Sequence, residues 1–275
     1  MKTSLALTPT PLVSAPLLYA GRLWHGLRRA AELGYDAVEL HLRDPAQIDA
    51  DTLGRELNRL GLAVSSIGTG QGASLDGLTL SSRNPECREQ ALQRLIGHVQ
   101  TAARFGAVVI IGSMQGRLET EARARAAQLD GAYDALTRLA GVAASQGVRV
   151  VIEPLNRYET NFINTAADVS RLLDRMDRPS LGVLLDTFHM NIEESSIPGA
   201  IRHIGSRLGL VHLADSNRGA AGTGHTAFGP ILETLRQIEY HGYLSAEILP
   251  LGDDDAAAET SIRVMRQLLA RDRTS

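Results

Sequence analysis

Val148-Arg149-Val150-Val151-Ile152-Glu153 is a short apolar run closed by a carboxylate, and the same construction recurs three times downstream. Leu181-Gly182-Val183-Leu184-Leu185-Asp186 ends on a second acid, Gly209-Leu210-Val211-His212 on an imidazole, and Tyr243-Leu244-Ser245-Ala246-Glu247 on a third acid. Successive runs stand roughly 30 residues apart, the length of one β/α unit. Packing does not explain a charge at the end of a buried strand, because Asp and Glu are rarely buried without a partner or a metal. If the runs are consecutive parallel strands, all four side chains emerge at one carboxyl end of the sheet, where α/β barrels carry their chemistry.

Upstream, the same alternation continues. Ser4 to Leu7, Ala37 to Leu42, Leu62 to Ile67 and Ala107 to Ile111 read as strands. Between them, segments of helical period run over Leu23–Leu33, Asp51–Leu60 and Asn84–Phe105, closed by Gly34, Gly61 and Gly106, and Glu121–Gln146 carries a further helix. Later helices are expected over Thr165–Met176, from Pro198 towards Leu208, over Phe228–Gln237 and over Ala256–Leu269. Eight strands alternating with eight helices specify an α/β protein of the (β/α)8 TIM-barrel type, one domain over residues 1–275, near the typical size of about 250 residues for that fold. Gly68, Gly70 and Gly72 have the wrong spacing for a dinucleotide loop and are expected to form a plain glycine-rich turn after the third strand.

Composition narrows the chemistry. Cys87 is the only cysteine, so no internal disulfide or Cys-rich zinc site can form. Lys2 is the only lysine and precedes the first strand, which argues against Schiff-base, PLP and P-loop chemistry. Net charge is −3 and the basic residues are scattered, so no nucleic-acid partner is expected. Leu5 to Ala20 is fairly apolar, but Pro9, Pro11 and Pro16 interrupt it, and no apolar run approaches the ~20 residues of a membrane span. The expectation is a soluble cytoplasmic protein with no membrane partner; the sequence neither requires nor excludes a homo-oligomer.

Two glutamates, an aspartate and a histidine make a three-oxygen, one-nitrogen ligand set. It suits Mn²⁺ first and also accepts Mg²⁺ or Co²⁺, while the lack of thiolate argues against structural zinc. Taken singly, Glu247 could be an ion pair at the barrel mouth and His212 a core histidine. Four together point to one divalent-metal site, since uncompensated carboxylates crowded at one mouth would repel.

The strings around these residues carry a specific resemblance. Val151–Thr165 (VIEPLNRYETNFINT), Leu185–Glu194 (LDTFHMNIEE) and His212–Arg218 (HLADSNR), with weaker support from Leu42–Pro45 and Ile67–Gln71, resemble the ketose 3-epimerase group of the xylose isomerase-like barrels, which includes D-tagatose and D-psicose 3-epimerases. Within it, the nearer likeness is to 5-keto-L-gluconate epimerases. The resemblance implies that Glu153, Asp186, His212 and Glu247 bind the metal, that Glu153 and Glu247 also exchange the substrate proton, and that Glu159, His189 and Arg218 grip oxygens near the ketose carbonyl. The plainer alternatives are a loop ion pair of Glu159 with Arg157 and a solvated Arg218. The sequence departs from the group at Ala221, where proline is common, at Ala227, where an acid is usual, and in the small residues of Gly70–Gly77; these loops are expected to shape the pocket.

The chemistry is coherent on its own terms. A proton beside a ketone is a weak acid, and a divalent ion bridging the carbonyl and a neighbouring hydroxyl stabilises the enediolate left by its removal. Two carboxylates on opposite faces can take the proton from one side and return one to the other, which inverts the centre. The expected substrate is a free keto sugar or keto-uronate, because no phosphate loop follows the seventh or eighth strand. Arg43 and Arg117 lie on loops that could reach a terminal carboxylate, favouring the uronate; a local pair of Arg43 with Asp44 is the alternative. Competing readings are a neutral ketohexose 3-epimerase, an aldose–ketose isomerase, a polyol (inosose) dehydratase and a sugar-binding protein with a vestigial site.

Overall fold

A computed structural model describes residues 1–13 and 15–270; the expected domain over 1–275 extends at 271–275 beyond the described residues. In chain order the elements are β1 (Lys2–Leu7), α1 (Leu23–Leu33), β2 (Ala37–His41), α2 (Ala50–Leu60), β3 (Ala63–Gly68), α3 (Gln71–Asp76), α4 (Pro85–Phe105), β4 (Val108–Ile111), α5 (Ala122–Ser145), β5 (Val150–Ile152), α6 (Ala166–Met176), β6 (Leu181–Asp186), α7 (Thr187–Glu193), α8 (Ile197–Ile204), β7 (Leu208–His212), α9 (Phe228–Gln237), β8 (Tyr243–Ala246) and α10 (Asp254–Ala270). The strands close into an eight-stranded parallel barrel, with Lys2–Leu5 of β1 in register with Tyr243–Ala246 of β8. This is the (β/α)8 architecture expected from the alternation.

Two packed layers hold it together. The larger lies between sheet and helices and takes, for example, Leu5, Leu40 and Val150 from the strands and Leu27, Leu95 and Leu139 from the helices. The smaller fills the barrel interior with Ile110, Val151, Leu184 and Leu210. Side chains two apart on a strand share a face. The residues two positions beyond this plug are therefore Gly112, Glu153, Asp186 and His212, which enter the barrel one layer nearer its carboxyl end.

Three helical segments differ from the expected pattern. Gln71–Asp76 is a short helix rather than a plain turn, with Gly77 ending it in the left-handed region. Thr187–Glu193, a polar string in the sequence, is a helix begun by the Asp186 carboxylate, which accepts from Phe188 N. The helix expected from Pro198 towards Leu208 begins at Ile197, with Pro198 in its first turn, and stops at Ile204; a 3-10 turn over Gly205–Arg207 completes the connection to β7. Among the described residues no helix is long and apolar enough to cross a membrane.

Candidate metal centre and active site

Four adjacent strands deliver the cluster. Asp186 and His212 end β6 and β7 and are register partners, while Glu153 and Glu247 each follow their strand by one residue. All four are buried, and one ligand atom from each lies within 4.8 Å of the others. His212 Nδ1 stands 3.7 Å from Glu153 Oε1, 3.9 Å from Asp186 Oδ2 and 3.6 Å from Glu247 Oε2. Ligands around a divalent ion at about 2.2 Å in tetrahedral array are themselves about 3.6 Å apart, so this spacing leaves room for one ion among them.

The hydrogen bonding points the same way. Glu153 Oε1, Asp186 Oδ2 and His212 Nδ1 are buried with no hydrogen-bond partner among the described residues, although buried polar atoms are nearly always satisfied. Asp186 divides its work: one oxygen caps α7 and the other is left to the cavity. Glu153 needs Gly112 beside it, because a Cβ there would lie 2.5 Å from Glu153 Oε2. In the ion-free cluster, burial raises Glu153 well above the usual carboxylate range and lifts Asp186 to about 6. His212 is raised despite its burial, because Glu39 and Glu247 press on it. The group is a buried acidic and histidine cluster consistent with a divalent-metal site, and its oxygen-rich donor set fits a hard ion.

The residues expected to hold substrate surround this cluster in one connected chain. His189, on α7 three residues after Asp186, aims Nε2 into the cavity, 3.8 Å from both Glu153 Oε1 and Asp186 Oδ2. Its Nδ1 receives the backbone N–H of Asn156 at 3.2 Å and lies 2.8 Å from Asn156 Nδ2, so the ring carries its proton on Nε2 and presents a donor to the cavity. Burial and the Arg218 charge depress it to about 3, keeping it neutral. Asn156 Nδ2 also donates to Glu159 Oε1 at 2.9 Å, and Arg218 Nη1 reaches the same oxygen at 3.1 Å.

Arg218 then closes the chain on Glu247, with Nη2 3.0 Å from Oε2. Its backbone has φ +59°, a left-handed value that disfavours a side-chain-bearing residue. A turn to Asp215 O and a bond from Leu249 N hold that conformation. The guanidinium lies 4.8 Å from the centre of the Phe188 ring, which roofs it. Burial opposes the charge, but Glu247, Asp186 and Glu159 outweigh it and raise the Arg218 pKa. Glu247 is in turn held well below its usual range, His212 and Arg218 overcoming its burial.

Several sequence expectations change here. Glu159 pairs with Arg218, whereas Arg157 takes Glu193. Arg43 pairs with Asp76 rather than Asp44. Arg117 donates to the backbone oxygens of Tyr158 and Glu159 at 3.3 and 3.2 Å. Ala221 is fully buried in the core, and Ala227 is the exposed N-cap of α9 with no side-chain cap. Sequence reading also passed over Glu39, His41 and Asn156. Glu39 is a charge inside a strand whose residues are all buried, which was the available signal.

Comparison with known proteins adds the family. The model of the xylose isomerase-like TIM barrel matches residues 27–268. The ketose 3-epimerase of Arthrobacter globiformis is 35% identical over 79% of this chain and 74% of its own length. The L-ribulose 3-epimerase of Mesorhizobium japonicum is 34% identical over 86% of this chain and 79% of its own. Among solved structures, an L-ribulose 3-epimerase superposes with a TM-score of 0.83 at 27% identity, covering 99% of this chain and 95% of that one. A D-allulose 3-epimerase from Methylomonas sp. in complex with D-allulose gives 0.78 at 26% identity, covering 97% of each chain. The chain belongs to the xylose isomerase-like TIM-barrel family and, within it, to the ketose 3-epimerase group, enzymes of the isomerase class.

Proposed function

We propose that the protein inverts C3 of a free, neutral ketose by proton exchange between Glu153 and Glu247. The observation that carries this reading is the gathering of two buried carboxylates, Glu153 and Glu247, into one cluster from strands three apart in the ring, beside unpartnered polar atoms of Asp186, His189 and His212. Glu153, Asp186, His212 and Glu247 would hold the divalent ion, with Mn²⁺ the first choice for this donor set. When bound, the ion stabilises negative charge developing on the substrate oxygens.

The chain's own groups do the rest. His189 offers an N–H to a substrate oxygen beside the cluster. Arg218 holds Glu247 ionised and fixes its Oε2 by a charge-assisted bond, leaving Oε1 for the substrate side. Glu159 anchors the other arm of Arg218 and adds an acceptor at the mouth. One glutamate takes the C3 proton, and the other returns a proton to the opposite face.

A neutral substrate is preferred over the keto-uronate for two reasons. The relatives carry the names ketose, L-ribulose and D-psicose 3-epimerase, all neutral sugars. The two arginines considered for a carboxylate are engaged elsewhere, Arg43 by Asp76 and Arg117 by backbone oxygens. The test is a panel of neutral pentuloses and hexuloses beside 5-keto-L-gluconate and D-tagaturonate, each with Mn²⁺, followed by NMR at C3. The best neutral ketose should exceed both uronates in kcat/KM by tenfold or more, about 1.4 kcal/mol in transition-state binding. A tenfold preference for a uronate would reject this reading and restore the acid one.

A further inference from the structure

Behind the cluster of Glu153, Asp186, His212 and Glu247 lies a fourth buried glutamate or aspartate of the site, which none of the roles above uses. Glu39, in the middle of β2, is fully buried, and an isolated carboxylate there would cost several kcal/mol. Its compensation is specific. Oε1 meets His41 Nε2 at 2.6 Å, while Oε2 accepts from Ser66 Oγ at 2.6 Å and meets His212 Nε2 at 3.1 Å. One carboxylate therefore gathers two histidines, and each faces a different oxygen of Glu247. His212 Nδ1 lies 3.6 Å from Glu247 Oε2, and His41 Nε2 lies 3.7 Å from Glu247 Oε1.

Glu39, His41 and Glu247 also bring three ligand-type atoms within 4.8 Å of one another, which raises the question of a second cation site. The hydrogen bonds decide against it. Both Glu39 oxygens have partners, in contrast to Glu153 Oε1, Asp186 Oδ2 and His212 Nδ1, which have none. A carboxylate only accepts, so the His212 Nε2 facing Glu39 must carry hydrogen, and Nδ1 keeps its lone pair for the cavity. His41 is seated as closely: a Cβ on Gly68 would lie 2.4 Å from its Nδ1, so β3 must carry glycine there for this ring position.

We propose that Glu39 is a positioning residue of the site, fixing the tautomer and ring plane of His212 from behind and holding His41 beside the free oxygen of Glu247. The proposal rests on the metal-dependent epimerase reading for its catalytic consequence. Its metal-affinity consequence stands apart from any substrate. Removing a carboxylate behind a metal-ligating histidine typically lowers metal affinity 10–100-fold.

Two measurements test it, one without any variant. In the Mg²⁺-loaded protein, long-range ¹H–¹⁵N NMR should show His212 protonated at Nε2 and not at Nδ1; the opposite tautomer overturns the proposal even if no Glu39 variant folds. By titration, Glu39→Gln should bind Mn²⁺ about 10–100-fold more weakly than the unmutated protein. His41→Ala should keep Mn²⁺ affinity within threefold while kcat falls tenfold or more, separating the two arms. Glu39→Gln that binds Mn²⁺ within threefold of the unmutated protein rejects the proposal and leaves the epimerase reading intact. An unmutated protein that binds Mn²⁺ but epimerises no ketose rejects the epimerase reading while the tautomer and affinity results still judge Glu39. Failure of the unmutated protein to bind any divalent ion overturns both.

Discussion

Arg218 Nη2 donates to Glu247 Oε2 at 3.0 Å, and the same guanidinium donates from Nη1 to Glu159 at 3.1 Å. A planar fork that spans two carboxylates cannot be reproduced by an ammonium, which is a compact point charge. Arg218→Lys should therefore lower kcat by about 10²-fold, the scale for losing one directed donor in a catalytic site. Steady-state kinetics on the best ketose checks this; a lysine variant within threefold of the unmutated kcat would show that the fork is dispensable.

Removing the ion should cost stability as well as activity. Burial raises two of the cluster's carboxylates, Glu153 well above its usual range and Asp186 to about 6. Protons and metal compete for that site, so Mn²⁺ affinity should fall as pH drops through about 6 and rise above it. Chelation should lower the melting temperature, and Mn²⁺ at 100 times its Kd should restore about 2.7 kcal/mol. Identical melting with EDTA and with excess Mn²⁺ would mean that no ion binds the folded state.

His98 gives a separate pH signature far from the chemistry. It is buried in α4 with no hydrogen-bond partner for either ring nitrogen among the described residues, and burial, helped by Arg94, depresses it from 6.5 to about 4. Between these values the unfolded chain takes up a proton that the folded one refuses. Stability is thus undiminished above about 6.5 and falls as pH drops towards 4, a loss on the order of 3 kcal/mol. Denaturant unfolding of His98→Met from pH 7.5 to 4.5 should show a flatter acid limb; a slope equal to that of the parent would refute the assignment.

Ala227 leaves α9 without a side-chain cap. Asp at this position can accept from the orphan N–H of Gly229, whereas Pro230 offers none. A new N-cap contributes ~1 kcal/mol, or about 2–4 °C for a chain of this size. Calorimetry of Ala227→Asp should show that rise with kcat unchanged; a lower melting temperature would contradict the cap.

The barrel and the cluster of Glu153, Asp186, His212 and Glu247 were legible because they depend only on local pattern: apolar strands, the period of two, and polar residues at their ends. Glu39 and His41 escaped because AVELHL places them on one face without saying that this face is the barrel interior. Helix Thr187–Glu193 escaped because seven mostly polar residues show no clear stripe, and its start depends on the Asp186 cap. The inward turn of Arg218 comes from a left-handed backbone held by Asp215 and Leu249, contacts that no single segment reveals. The uronate expectation came from the likeness to 5-keto-L-gluconate epimerases and from two arginines on nearby loops, whose partners, Asp76 and the Tyr158–Glu159 carbonyls, are set by tertiary packing.

The most direct test of two-glutamate exchange is epimerisation in D₂O, stopped at low conversion and read by NMR at C3. The product should carry deuterium at C3 while recovered substrate carries almost none, because the glutamate that returns the proton has exchanged with solvent and the one that takes it faces the other side. Glu153→Gln and Glu247→Gln should each lower turnover by at least about 10³-fold, since an amide cannot exchange the proton. Product that forms with C3 unlabelled at early times, or full turnover in either glutamine variant, would contradict the account.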